Sequence, residues 1–178
     1  MRYWKSTVLV ILITIAIIFL LLRPPTPIGK TTVNGFEVTF IQEYSLNATI
    51  KGVKFYNDGW RAHIAPVDLC LAWDKAANAK HISFDQKHRG CWYSYNEKNT
   101  LKKAYITSHM SNNHIIPANE QIRSKINSLN TGDQIQINGY LVESKGTYEG
   151  KNYYWDSSLS RTDTSDGACE VFYVTNIT

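Results

Sequence analysis

At 178 residues the chain has room for one domain beyond an anchor, and a unit of about 150 residues buries a core without needing staples. Four of its 19 cations (Arg2, Lys5, Arg23 and Lys30) and none of its 15 anions fall in the first thirty residues, so the formal charge of +4 belongs to the N-terminus and the remainder is neutral. A neutral domain lacks the phosphate-neutralising surface on which nucleic-acid binding rests, which excludes nucleic acid as a partner class.

Residues 7–22 (TVLVILITIAIIFLLL) contain no charge, Gly or Pro. As a helix they span about 24 Å, short for a bilayer core, and Tyr3 and Trp4 extend the usable length at the membrane–water interface. The run ends in Phe19-Leu20-Leu21-Leu22 and then Arg23-Pro24-Pro25, with no small-residue cleavage site and no Cys to carry a lipid. It therefore reads as a retained signal-anchor in contact with the bilayer and not as a cleaved signal peptide. Arg2 and Lys5 precede the run and only Arg23 follows closely, which places the N-terminus in the cytoplasm and the rest outside. The expected organisation is a cytoplasmic stub and transmembrane anchor over 1–22, a stiff Pro-rich spacer over 23–33, and an extracytoplasmic domain over 34–178.

From Phe36 the pattern becomes β-like. Residues 36–41 alternate, and residues 44–56 (YSLNATIKGVKFY) read as a long strand or hairpin that ends in the turn signal Asn57-Asp58-Gly59. Residues 65–72 (APVDLCLA) are apolar and fit either strand or helix, and residues 82–95 hold another β-rich piece. The polar stretch 108–113 (SHMSNN) is expected to be an exposed loop. One helix is expected over EQIRSKINSL, where Ile122, Ile126 and Leu129 share a face, with Asn119 as N-cap and Gly132 as the left-handed residue at its end. DQIQINGYLVE then alternates as a half-buried strand. A hairpin with Glu149-Gly150 near its tip follows, and EVFYVTNI closes the chain as a strand.

Several strands, one short helix and two further strands, with the helix ahead of a Gly-Asp-x-Ile-x-Ile-x-Gly strand, resemble the order of a small OB-type barrel. The fold class expected is thus an N-terminal transmembrane helix followed by a β-rich α+β domain of OB-like form. The segments SHMSNNHIIPAN (108–119) and SSLSRTDTSDGACEVFYV (157–174) resemble a group of uncharacterised short bacterial single-pass membrane proteins. That resemblance implies the bacterial inner membrane, with the domain on its periplasmic or extracytoplasmic side, and supplies no activity.

Three cysteines in an oxidising compartment allow one disulfide and leave one thiol. Locality favours Cys70–Cys91, a loop of about 20 residues worth on the order of 3 kcal/mol, with Cys169 as a small buried thiol. His114 lies 55 positions before Cys169. A His and a later Cys on an anchored β-domain resemble a sortase, whose resemblance implies Cys169 as nucleophile, His114 as proton carrier and an Arg as oxyanion donor. The match breaks down in detail, because Ser165-Asp166-Gly167-Ala168 replaces the family's Thr-Leu-x-Thr and no Arg follows the Cys, leaving Arg161 to substitute. Arg89-Gly90-Cys91 resembles a fragment of the L,D-transpeptidase nucleophile motif whose other residues are missing. The spacings among His81, His88, Cys91, His109 and His114 form no ligand signature, so no metal and no cofactor is expected.

The function read from the sequence is a membrane-anchored binding domain, a small non-catalytic subunit of a cell-envelope assembly with a membrane or envelope protein as partner. Its binding residues are placed on polar loops at Asn112, Asn113, His114, Arg161 and Asp163. The alternatives are an envelope cysteine hydrolase or transpeptidase using Cys169, His114 and Arg161, and a module for polysaccharide or another small ligand that stacks on the eleven Tyr and five Trp.

Overall fold

The computed structural model describes residues 11–14, 25–161, 163 and 168–178. Residues 11–14 are helical, and the rest of the expected anchor lies outside the described residues. Among the described residues no helix is long and apolar enough to cross a membrane.

Nine strands and four short helices follow. They are β1 (Gly29–Val33), β2 (Phe36–Phe55), α1 (Gly59–Ile64), β3 (Val67–Ala72), α2 (Asp74–Ala77), β4 (Ile82–Lys87), β5 (Gly90–Tyr95), α3 (Lys103–Thr107), β6 (Met110–Pro117), α4 (Glu120–Asn127), β7 (Gln134–Tyr148), β8 (Lys151–Asp156) and β9 (Glu170–Ile177). The folded unit begins before residue 34, because β1 takes residues 29–33 of the expected spacer into the sheet against β2. The segment 36–55 is one strand and not a hairpin. A register shift beside Ile41 and another beside Lys51 bend it, so that its first part pairs with β7 and its last part with β3.

That double pairing closes a ring. β2 runs beside β3, β3 beside β6, β6 parallel to β9, β9 beside β7, and β7 returns to β2, with β1 and β8 attached at the ends. Inside the ring Leu46, Ile50, Leu69, Leu71, Ile115 and Phe172 are at most 5% exposed. α4 packs Ile122 and Ile126 on the same core, and its first turn is fixed by the Ile122 amide donating to Asn119 Oδ1 at 3.0 Å. Gly132 does not end this helix. The helix stops at Ser128, and Gly132, at φ 103°, instead turns the chain so that its amide donates to the Ile50 carbonyl.

The undecided segment 65–72 contributes β3, buried on both faces because the ring core lies on one side and the hairpin β4–β5 on the other. The segment 108–113, expected as an exposed loop, is not one. Ser108 and His109 close α3, and Met110 starts β6, a strand in the middle of the sheet. Asn112, Asn113 and His114 are 5%, 0% and 4% exposed. Their backbone groups enter the ladders with β3 and β9, and their side chains find polar partners on either face, which is what lets a polar stretch be buried.

Candidate functional site

Period-two alternation sorts β6 into two faces. Ser111, Asn113 and Ile115 turn into the ring, and Asn112, His114 and Ile116 turn outward, beneath the β4–β5 hairpin and Trp155. The hairpin lies close because Gly52 has no side chain: a Cβ there would come within 2.7 Å of Gln86 Cβ. Next to its tip, where Cys91 pairs with Gln86, the hairpin is bonded to β3 through the Cys70–Cys91 disulfide, whose Cα atoms are 5.2 Å apart.

The hairpin tip is held from all sides. His88 and Arg89 turn it with φ of 51° and 57°, a conformation that side chains with a Cβ seldom adopt. The Arg89 amide donates to Tyr56 Oη at 3.1 Å, its guanidinium lies 3.9 Å from the Tyr56 ring centroid, and Nη1 donates to the Ala65 carbonyl and to Asp68 Oδ1. Asp68 is fully buried on β3 and accepts a second bond at Oδ1, from His114 Nδ1 at 2.9 Å. An oxygen that accepts from both groups fixes Nδ1 as the protonated ring nitrogen. The Trp155 ring covers the imidazole at a centroid distance of 4.6 Å.

Asn112 ties the hairpin to the thiol. Its Oδ1 accepts from Gln86 Nε2 at 2.6 Å, and its Nδ2 donates to the Arg89 carbonyl at 3.1 Å. The same nitrogen lies 3.7 Å from Cys169 Sγ and 3.5 Å from each ring nitrogen of His114. Burial pushes the Cys169 thiol up to about 11, against the smaller opposing effect of the Asn112 bond, so it is protonated at neutral pH. These groups floor a cleft of about 640 Å³ between the hairpin, with Trp92 and Tyr93, and the end of β8, with Trp155 and Asp156.

Of the residues singled out in the sequence, Asn112, His114, Asp163 and Cys169 all border this cleft. Asp163 accepts from Ser158 Oγ at 2.6 Å. Asn113 does not reach it, since it faces the ring interior, where its Nδ2 donates to Ser111 Oγ. Arg161 does not stand in for the oxyanion donor. Its guanidinium stacks over Tyr44 at 4.9 Å and Trp73 at 5.8 Å and donates to the Ser45 carbonyl, while the guanidinium beside His114 belongs to Arg89.

Sequence reasoning missed Asp68, Arg89, Gln86, Trp155 and Glu170. A lone carboxylate inside the apolar run 65–72 is a signal for Asp68, whereas nothing local marks Gln86. Glu170 is 2% exposed and faces inward beside Asn113 and Ser111, and burial pushes its carboxyl up to about 8. Among the described residues no group of three or more His, Cys, Asp or Glu side chains is placed to hold a metal ion. No protein-family model, curated protein or solved structure matches this chain.

Proposed function

We propose that the chain is a membrane-anchored, extracytoplasmic binding domain, a small non-catalytic subunit of a bacterial cell-envelope assembly, carried by a signal-anchor over residues 7–22 with its N-terminus in the cytoplasm. The ring of five strands with β6 parallel to β9 and a helix between β6 and β7 matches the order of an OB-type barrel, which supports the finer fold reading. A disulfide supports an oxidising compartment. The observation that carries the binding reading is the pre-organised cleft. A covalent bond and a chain of buried hydrogen bonds fix both the hairpin wall and the Asn112–His114 floor, and aromatic rings stand at its rim. Rigid walls spare a ligand the entropy of ordering them, and an anchor raises the local concentration of membrane neighbours.

The test uses full-length protein extracted in mild detergent. The wild type is expected to migrate in an assembly larger than itself, Trp92→Ala to release it at unchanged melting temperature, Trp155→Ala to release it while still unfolding cooperatively, and Cys169→Ala to leave it intact. Migration of the wild type as a free monomer, or variants that change nothing, would count against binding. Protease added outside the inner membrane should digest the chain beyond Pro27, and protection there in spheroplasts would reverse the orientation.

A second reading, a cysteine hydrolase or transpeptidase, is favoured by one observation: Cys169 and His114 border this cleft, and the buried Asp68 bonds to His114 behind it. It requires a thiol that reacts at neutral pH. Unreactive Cys169 in the folded protein supports the binding reading. Cys169→Ala that stays folded and assembled yet fails to complement a deletion strain supports the enzyme.

A further inference from the structure

Among the described strands, four have an open edge: β1 and β8 at the ends of the large sheet, and both members of the β4–β5 pair. Exposed edges are normally blunted with charge, and Lys30 in β1, Asp85 and Lys87 in β4, and Lys151 and Asp156 in β8 do this. β5, reading GCWYSY, carries no charge and no Pro. It is also the edge that forms a wall of the cleft, from Gly90 to Tyr93.

The register states which backbone groups that edge offers. With Lys87 paired to Gly90 across a two-residue turn, Gly90, Trp92 and Ser94 exchange hydrogen bonds with β4. Cys91, Tyr93 and Tyr95 then direct their N–H and C=O groups away from β4, toward the cleft. The cleft floor adds Asn112 and His114, and Arg61 adds a guanidinium that stacks on Trp60 at 4.8 Å and Trp155 at 5.4 Å and makes no ion pair among the described residues. Asp156 and Asp163 border the same cleft, so its lining favours neither sign of charge, and what the edge itself complements is an extended backbone with its alternating acceptors and donors.

We infer that the cleft holds an extended peptide segment of a partner protein, which adds as a third strand to the outer edge of β5. The inference rests on the binding reading and names its ligand. Main-chain bonds supply affinity in this mode, and side chains over the floor supply selectivity. The turn end of the hairpin does not have to move to receive such a strand, since the Cys91 disulfide and the Arg89 contacts already pin it to the ring.

The test pans a phage-displayed library of random dodecapeptides on the oxidised full-length protein in detergent. The expected result is binders whose synthetic forms lose at least tenfold in affinity when alternate residues are N-methylated. Tyr93→Pro, which removes an outward N–H and spares the β4 ladder, should bind at least tenfold more weakly than Tyr93→Ala, which removes the same ring and keeps that N–H. Peptides that tolerate N-methylation at every position overturn strand addition even where Tyr93→Pro fails to fold, because that arm leaves the protein untouched. A library that yields no binder, with a native assembly still released by Trp155→Ala, overturns the inference and leaves the binding reading standing. Peptides that bind by this pattern and are then cleaved in a Cys169-dependent way uphold the groove and overturn the non-catalytic reading.

Discussion

Among the described residues three hairpins turn through two residues in the left-handed region, and they do not use the same residues. Asn34-Gly35 joins β1 to β2 with φ of 48° and 82°, and Glu149-Gly150 joins β7 to β8 with φ of 49° and 75°. Both place Gly second, where the missing Cβ removes the steric penalty of this turn. His88-Arg89 adopts nearly the same angles, 51° and 57°, with no Gly at all. A side chain forced into this region costs about 1 kcal/mol and persists only where its surroundings hold it. The two Gly hairpins are shaped by local turn chemistry. The third is shaped by what Arg89 touches, namely Tyr56, Ala65, Asp68 and Asn112. That contrast separates scaffold from site within one architecture.

The largest effect should come from removing the contact that distinguishes the third hairpin. In Arg89→Ala the fully buried Asp68 keeps only His114, and Oδ2, already without a hydrogen bond, stays unsatisfied. Breaking a buried pair on one side costs about 3–5 kcal/mol. Chemical denaturation should show a loss of that size, and hydrogen exchange should rise in β4 and β5 before β1, β2, β7 and β8. A uniform rise would mean that the tip contacts are not local to the hairpin.

Glu170 supplies the control for that experiment, because it acts on the ring without touching a turn. Its folded carboxyl titrates near 8, above the ordinary carboxylate range, so the folded state binds the extra proton between about pH 4.5 and 8. The contribution is full at pH 4.5 and below and is lost as pH rises toward 8. At about 1.4 kcal/mol for each pH unit, raising the pH from 5 to 7.5 should lower wild-type stability by about 3 kcal/mol relative to Glu170→Gln. The loss should reach all three hairpins alike. Parallel pH profiles for wild type and variant would show that Glu170 carries no such load.

The disulfide pins the same hairpin one pair below its tip. Replacing Cys91 with Ser opens a loop closed across 21 positions and should cost about 2–3 kcal/mol. The loss concentrates in β4 and β5, where the Gly hairpins have no covalent tie. Equal loss in all hairpins would mean that the bridge supports the ring and not the hairpin wall.

How much of this was legible follows from range. Glu149-Gly150 announces its own turn, and the Asn119 cap and the Ile122/Ile126 face announce α4, because each is written within a few residues, whereas the Asn34-Gly35 turn was passed over with β1 inside the expected spacer. β6 was illegible for the opposite reason. Its polar letters read as a loop until Asp68, Gln86 and Arg89 arrive from other strands to satisfy them, and hydrogen bonds spanning 21 to 46 positions leave no local trace. Cys169 and His114 could be named from the sequence, but their orienting partner Asp68 could not, and the nearer Arg was sought in the wrong segment. The His88-Arg89 turn escaped notice because its residues are not those a two-residue hairpin prefers.

The smallest effect is also the sharpest test of the contrast. His88→Gly removes a Cβ from φ 51° in a residue that is exposed, so strain relief should outweigh lost contacts and stabilise the protein by about 0.5–1 kcal/mol. Arg89→Gly gives the same kind of relief one position later, at φ 57°, while deleting the guanidinium from Tyr56 and Asp68. The two substitutions share their backbone effect to first order, in both the folded and the unfolded chain. Their difference in stability therefore reports the side-chain contacts of Arg89 with the strain largely cancelled. Opposite signs, with His88→Gly stabilising and Arg89→Gly destabilising, are the expected outcome in matched thermal melts. If both stabilise, the tip is a turn like the other two, and the buried Asp68 draws its support from His114 alone.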